Sequence, residues 1–274
     1  MLSENLKWYF PSSIPRAVKL IQKPGVLLHA GGTRILKTQS KNILGLVDIG
    51  NLKLNYIKPK NNLFHIGAAV TFNEVIKYSK ENNCLKILGV ALSQAASTPL
   101  RNRITIGGSL KDFPLWSNLY APLIALDAKV DLKGSKSGIY SLEEYVTEGI
   151  IKSKHIIKEI IIPESAGLIW KVKRFALLKF EYPLFNIAIT FTLKEKIIED
   201  SRLVITGVKN RFKRFRKAEK FLTGKILSQN LLNDIDKFIK PKFISDYKYS
   251  ASYKEKIAKV YFNDLLSEII NENL

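Results

Sequence analysis

The spacing of apolar positions changes repeatedly along this chain, and each change predicts an element. In SIPRAVKLIQ, residues 13–22, apolar side chains fall three and four apart after Ser12 and Ser13, which predicts a short helix with a serine at its start. VLLHAGGTRI, residues 26–35, is an apolar run stopped by a glycine pair, the pattern of a buried strand ending in a tight turn. ILGLVDI at 43–49 and LFHIGAAV at 63–70 read as further strands. Thr71 stands three residues before Glu74, the spacing of a capping box, and predicts a helix over 71–82. A second helix is expected over 85–96, before Pro99 and the polar turn Arg101-Asn102-Arg103. A second glycine pair follows in ITIGGSL, then a helical stretch at 119–125, a short strand at 129–132 and an alternating strand, HIIKEIIIP, ending at Pro163.

ESAG interrupts the pattern, and a domain boundary is expected at 164–169. Beyond it WKVKRFALL, LFNIAITFTLKE and SRLVITGVK have strand character, while 216–222, 228–239 and 251–270 have helical spacing. The last helix is expected to bury one stripe of Tyr253, Ile257, Tyr261, Leu265 and Ile269. Three strands followed by three helices predict an α+β domain with a three-stranded sheet and helices on one face. The expected division is thus 1–166, in two lobes of about 1–55 and 56–166, and 167–274.

Composition removes several kinds of chemistry. At 274 residues and 46% hydrophobic content the chain can fill two ordinary cores. Cys84 is the only cysteine, so no disulfide framework and no cysteine-ligated zinc or iron–sulfur centre can be built from this chain, and Cys84 reads as a small buried hydrophobe. His29, His65 and His155 lack the short spacing of paired metal ligands, so no metal site is expected. Residues 1–10 do not resemble a secretion signal and no apolar run approaches the roughly 20 residues of a membrane span, which points to the cytoplasm. A net charge of +20 suits an anionic cofactor, an acidic partner, nucleic acid or an anionic membrane, and an AT-rich genome would produce the same lysine excess. KNRFKRFRKAEK, 209–220, reads first as a solvated face, and alternatively as a phosphate-binding stretch with Phe212 and Phe215 for stacking. Trp8, Tyr9, Phe10, Trp116 and Trp170 are expected mainly in cores.

The glycine pairs carry the candidate chemistry. Without a Cβ, Gly31 and Gly32 let the backbone turn and approach a ligand, and exposed amides in such a turn form an anion site. With the Thr33 hydroxyl they can hold one phosphate; Thr105, Gly107, Gly108 and Ser109 can hold another. Each alone reads first as a plain turn between strands, and neither matches the dinucleotide-binding or nucleoside-triphosphate glycine motifs.

Taken in order and at this separation, the two loops resemble those of the medium, FAD-binding subunit of molybdenum hydroxylases, the xanthine dehydrogenase and carbon monoxide dehydrogenase family. LVDIGNL, IGAAVTFNEV, PLRNRITIGGSL and APLIALDAKV, and later KRFALLKFEYPLFNIAIT, ITGVKNRFKRFRKAEKFLTGK and SDYKYSASYKEKIAKV, also fall in family order, over nearly the whole chain. The resemblance implies a two-lobed FAD-binding domain followed by a smaller α+β flavoprotein domain. It implies an oxidoreductase subunit whose FAD is contacted by Leu28, His29, Ala30, Gly31, Gly32, Thr33, Arg34 and Ile35 in the first loop. Thr105, Ile106, Gly107, Gly108 and Ser109 would contact it in the second, with Asn118 beyond. Tyr182 or Asn186, in FEYPLFN, would lie toward the flavin, although core packing fits them equally. No residue of the chain is implied as a catalytic acid, base or nucleophile; electrons would come from a small [2Fe–2S] subunit and pass to NAD+ or another acceptor, while a large molybdopterin subunit would meet the substrate. Nucleic acid is not an implied partner. Arg34, Ser109, Asp112 and Asn118 depart from the family pattern, and they keep open the alternative of a cofactor-free basic paralogue acting in assembly or nucleic-acid binding.

Overall fold

The computed structural model describes residues 6–35, 42–179 and 181–273. Its contacts divide the chain into two compact units that are not contiguous in sequence. One unit comprises Met1–Tyr78, Ala96–Asp112 and Asp127–Glu164; the other comprises Ser79–Ala95, Phe113–Leu126 and Ser165–Leu274. The break at 164/165 falls at ESAG, but two earlier segments also belong with the C-terminal stretch, a division that no single cut in the sequence reproduces.

The first unit contains two sheets. Strands β1 (Lys7–Tyr9), β2 (Val26–His29) and β3 (Gly45–Asp48) form a parallel sheet in the order β1-β3-β2. Helix α1 (Ile14–Ile21) buries Ala17 and Ile21 with Val26, Val47 and Ile49. Ser13 is the residue before α1, yet its side chain makes no capping bond, and the helix start is set by a proline in the first turn. Strands β4 (Ile57–Lys60), β5 (Leu63–Gly67), β6 (Lys129–Gly134), β7 (Gly138–Ser141) and β8 (His155–Pro163) form an antiparallel sheet ordered β4-β5-β8-β6-β7. Strands β1, β4 and β7 carry no clear apolar period because they have largely exposed or half-buried positions.

Helix α2 (Phe72–Ser79) begins with the expected capping box: the Thr71 amide and hydroxyl each donate to Glu74 Oε2 at 2.7 Å, and the Glu74 amide donates to Thr71 Oγ1 at 3.3 Å. Helix α3 (Lys86–Ser93) belongs to the second unit. Pro99 starts rather than ends an element, the one-turn helix α4 (Thr98–Arg101). The second glycine pair is not in a loop; it opens helix α5 (Ile106–Asp112).

The second unit also contains α6 (Tyr120–Ala125), and α7 (Leu142–Thr147) belongs to the first. Its sheet has four strands, not three: β9 (Ile169–Phe175), β10 (Phe185–Lys194), β11 (Ile197–Val208) and β12 (Arg211–Arg214), all antiparallel. The extra strand comes from the basic stretch, with Phe212 buried in its middle. Helices α8 (Arg216–Leu222), α9 (Asn230–Ile235) and α10 (Ala251–Asn273) complete it. In α10 the buried stripe is Ala258, Phe262, Leu265, Leu266, Ile269 and Ile270, while Tyr253 stays exposed. A strict spacing of four drifts around a helix of 3.6 residues per turn, so the expected stripe leaves the buried face at its N-terminal end.

Candidate functional site: two glycine segments in one unit

The first glycine segment leaves β2 at His29, whose carbonyl accepts the Ile49 amide at 3.0 Å. The His29 imidazole Nδ1 lies 2.8 Å from Asp48 Oδ2, Trp8 packs edge-on against the ring, and Asp48 Oδ1 accepts the Gly50 amide at 2.7 Å. This side chain is therefore held by its own sheet. Gly32 has φ of +69°, the left-handed region. Gly31 lies against the backbone of Arg103: a Cβ there would stand 1.6 Å from the Arg103 carbonyl oxygen. Arg103 also donates from Nε to the Gly31 carbonyl at 3.2 Å, joining the first segment to the residues just before the second.

Among the described residues, the amides of Gly31, Gly32 and Thr33 and the Thr33 hydroxyl donate to no protein acceptor. Three successive free amides in a turn containing a positive φ form a concavity that favours an oxyanion. The donor set thus fits a phosphate group.

The second segment is tied more tightly into the fold. Val70 accepts the Ile106 amide and Ala68 accepts the Gly107 amide, each at 2.9 Å, and Ile104 accepts the Phe72 amide. Gly107 is required by this approach, because a Cβ would lie 2.6 Å from the Ala68 Cβ. Thr105 caps α5: its hydroxyl accepts the Gly108 amide at 3.2 Å and its carbonyl the Ser109 amide at 3.0 Å. What remains toward solvent is the exposed Gly108 and the half-buried Ser109 side chain. At the far end of α5, Lys111 donates to the carbonyls of Ile151 and Ser153 at 2.7 and 2.6 Å.

Leu28, Ala30 and Ile35 flank the first segment, and Arg34 Nη1 pairs with Asp112 Oδ2 at 2.8 Å. Asn118 lies in the other unit, almost fully buried, with its carboxamide nitrogen donating to the Ala91 carbonyl at 3.1 Å. Also in that unit, Asn186 is buried and donates to the Ser117 carbonyl at 3.2 Å, while Tyr182 is exposed and packs on Trp116. Phe180 lies outside the described residues. Trp8, Phe10 and Trp116 are partly exposed rather than in cores.

The basic stretch has a structural role. Arg214 donates to both carboxylate oxygens of the buried Glu219 at 3.0 and 2.9 Å, and Glu219 also accepts the Leu203 amide. Phe212 and Phe215 are buried, so neither offers a face for base stacking. Arg103, Asp48 and Lys111 are contributors that sequence reasoning did not single out. Only Asp48 had a local signal, an aspartate two residues before the glycine whose amide it accepts.

Residues 4–165 match the model of the FAD binding domain in molybdopterin dehydrogenase, and residues 173–269 match that of the CO dehydrogenase flavoprotein C-terminal domain. The chain belongs to this family of FAD-binding molybdopterin dehydrogenase proteins. As a member it is the FAD-binding component of an oxidoreductase. It is 25% identical to the glyceraldehyde dehydrogenase medium chain of Sulfolobus acidocaldarius, over 88% of this chain and 89% of the relative. It is 24% identical to the nicotine 6-hydroxylase medium subunit of Paenarthrobacter nicotinovorans, over 93% of each. Aldehyde oxidase 4 of Arabidopsis thaliana is 28% identical over 82% of this chain, which spans only 19% of that longer protein. Among solved structures, CO dehydrogenase from Oligotropha carboxidovorans aligns with a TM-score of 0.88 at 22% identity over 99% of both chains. Quinoline 2-oxidoreductase from Pseudomonas putida 86 aligns at 0.87 and 20% identity, again over 99% of both. These likenesses show the fold. Among the described residues no helix is long and apolar enough to cross a membrane.

Proposed function

We propose that the chain is the flavin subunit of a cytoplasmic molybdenum hydroxylase and that its first glycine segment holds the FAD diphosphate. The observation that carries this reading is the run of unengaged amides at Gly31, Gly32 and Thr33, with the Thr33 hydroxyl, in a chain of this family. Gly108 and Ser109 of α5 supply the second side of the cradle, and Thr105, Ile106 and Gly107 place them. Leu28, His29, Ala30, Arg34 and Ile35 border the first segment. Asn118, whose carboxamide nitrogen donates to the Ala91 carbonyl, remains a proposed contact.

When bound, FAD exchanges electrons one at a time with one partner and in pairs with another. The protein's own work is then to bind, orient and shield. Its backbone amides and hydroxyls meet the diphosphate, and no side chain of the chain is assigned a proton transfer. We assign it a small [2Fe–2S] subunit as electron donor, a large molybdopterin subunit as the site of substrate hydroxylation, and NAD+ or another acceptor. The burial of Phe212 and Phe215 takes from the alternative of a cofactor-free nucleic-acid binder the aromatic faces it would use for stacking.

The test is direct. Purified protein should be yellow, with two near-visible flavin bands released on denaturation, and added FAD should raise its melting temperature. Protein that stays colourless in excess FAD and shows no thermal shift overturns the proposal. Co-purification with an iron–sulfur chain and a molybdopterin chain tests the partners.

A further inference from the structure

Arg34 follows Thr33 directly, and its guanidinium Nη1 sits 2.8 Å from Asp112 Oδ2. Asp112 is the last residue of α5, the helix opened by the second glycine pair. Gly108 and Asp112 are four residues apart, which puts the carboxylate's backbone about 6 Å along the helix from the solvent-facing end of that pair. An acidic group therefore stands roughly one turn from the Gly108 and Ser109 side of the proposed cradle, and its ion pair is with the residue that directly follows Thr33 of the other side. Unopposed, it would repel an anion held there, since like charges at such a range interact appreciably where one is only partly hydrated. The Asp112 side chain is 26% exposed and that of Arg34 56%, so the pair is neither dry nor fully screened. The guanidinium fork can hold a carboxylate while its stem spans the two segments.

We infer that Arg34 is a positioning residue of the cradle: it cancels the charge of Asp112 and ties the first glycine segment to the end of α5, and does not itself ligate the anion. The inference rests on the proposed FAD reading. The two substitutions that look unfavourable one at a time, a bulky cation after the glycine segment and an acid near a diphosphate, then form a compensating pair. The assignment differs from a direct arginine–phosphate contact in what it predicts for a double variant.

The experiment compares the wild-type protein with Arg34→Gln, Asp112→Asn, the double variant and Arg34→Lys. FAD affinity is read by flavin fluorescence at low and high NaCl, beside the melting temperature of each FAD-free protein. Arg34→Gln is expected to weaken FAD about tenfold at low salt, with the loss shrinking as salt rises. The double variant should recover to within about threefold of wild type, since the repelling charge goes with its partner. Arg34→Lys should retain most of the affinity, and the melting temperatures should stay close together, as the pair is partly exposed. A double variant as weak as Arg34→Gln overturns the inference in favour of direct ligation, and an Arg34→Gln protein that binds like wild type overturns it outright. Wild-type protein that binds no FAD removes the proposed function and this inference together.

Discussion

The two glycine segments look alike in sequence and do different work. In the first, the backbone turns with Gly32 at positive φ, and among the described residues three amides and a hydroxyl have no protein acceptor. In the second, the amides of Ile106 and Gly107 are bonded to Val70 and Ala68, and that of Gly108 to the Thr105 hydroxyl. Glycine is needed in both for close packing: Gly107 lets a helix start press against Ala68, and Gly31 lets the turn press against the backbone of Arg103. The difference lies in their amides. The lesson is that a glycine pair reports close approach, and only the hydrogen-bond ledger of its neighbours tells whether its amides serve the protein or a ligand.

This difference can be broken by substitution. The largest effect is expected from Gly31→Ala, whose Cβ would stand 1.6 Å from a backbone oxygen that no rotamer change can move. Denaturant melting should show a loss of about 3 kcal/mol or more, with FAD binding abolished. Gly107→Ala meets the Ala68 Cβ at 2.6 Å and should cost about 2 kcal/mol, equally with and without FAD, because its neighbours are protein. If Gly107→Ala instead left stability intact and removed FAD binding, Gly107 itself would face the ligand and the contrast would fail.

The hydroxyls sharpen the same point more gently. Thr105→Val removes the cap of α5 and should lower stability by about 1 kcal/mol. Thr33→Val should leave the melting curve of the FAD-free protein in place and weaken FAD about fivefold. The reverse outcome would exchange the roles of the two segments.

The smallest expected effect is on acid stability, and it belongs to the second segment's support. His155 is held down to about 4 by burial and then by the Lys111 charge, against an ordinary 6.5. Its Nδ1 lies 2.9 Å from the Ser153 hydroxyl and its Nε2 3.0 Å from that of Tyr145, and Ser153 also accepts Lys111 from the end of α5. Between pH 6.5 and about 4 the unfolded chain has a protonated imidazole and the folded chain does not. The unfolded state then binds more protons, so stability falls as pH drops through this window. His155→Gln should flatten that slope, read as denaturant midpoints at pH 7 and pH 5. An unchanged slope would place the acid sensitivity elsewhere.

Much of the fold was legible from periodicity alone. The long apolar runs of β8, β10 and β11 and the capping box at Thr71 are local features, satisfied within a few residues. So too were the glycine pairs, and their order along the chain pointed to the family. The edge strands β1, β4 and β12 escaped because an edge buries too few side chains to impose a period of two. What only the tertiary structure decided is which groups are already satisfied. Arg103 reaches Gly31 across 72 residues, Lys111 reaches Ser153 across 42, and the assignment of 79–95 and 113–126 to the second unit depends on contacts just as distant. Local chemistry determined where the chain could turn and approach; long-range packing determined that the second glycine segment spent its amides on the fold, while those of the first find no acceptor among the described residues.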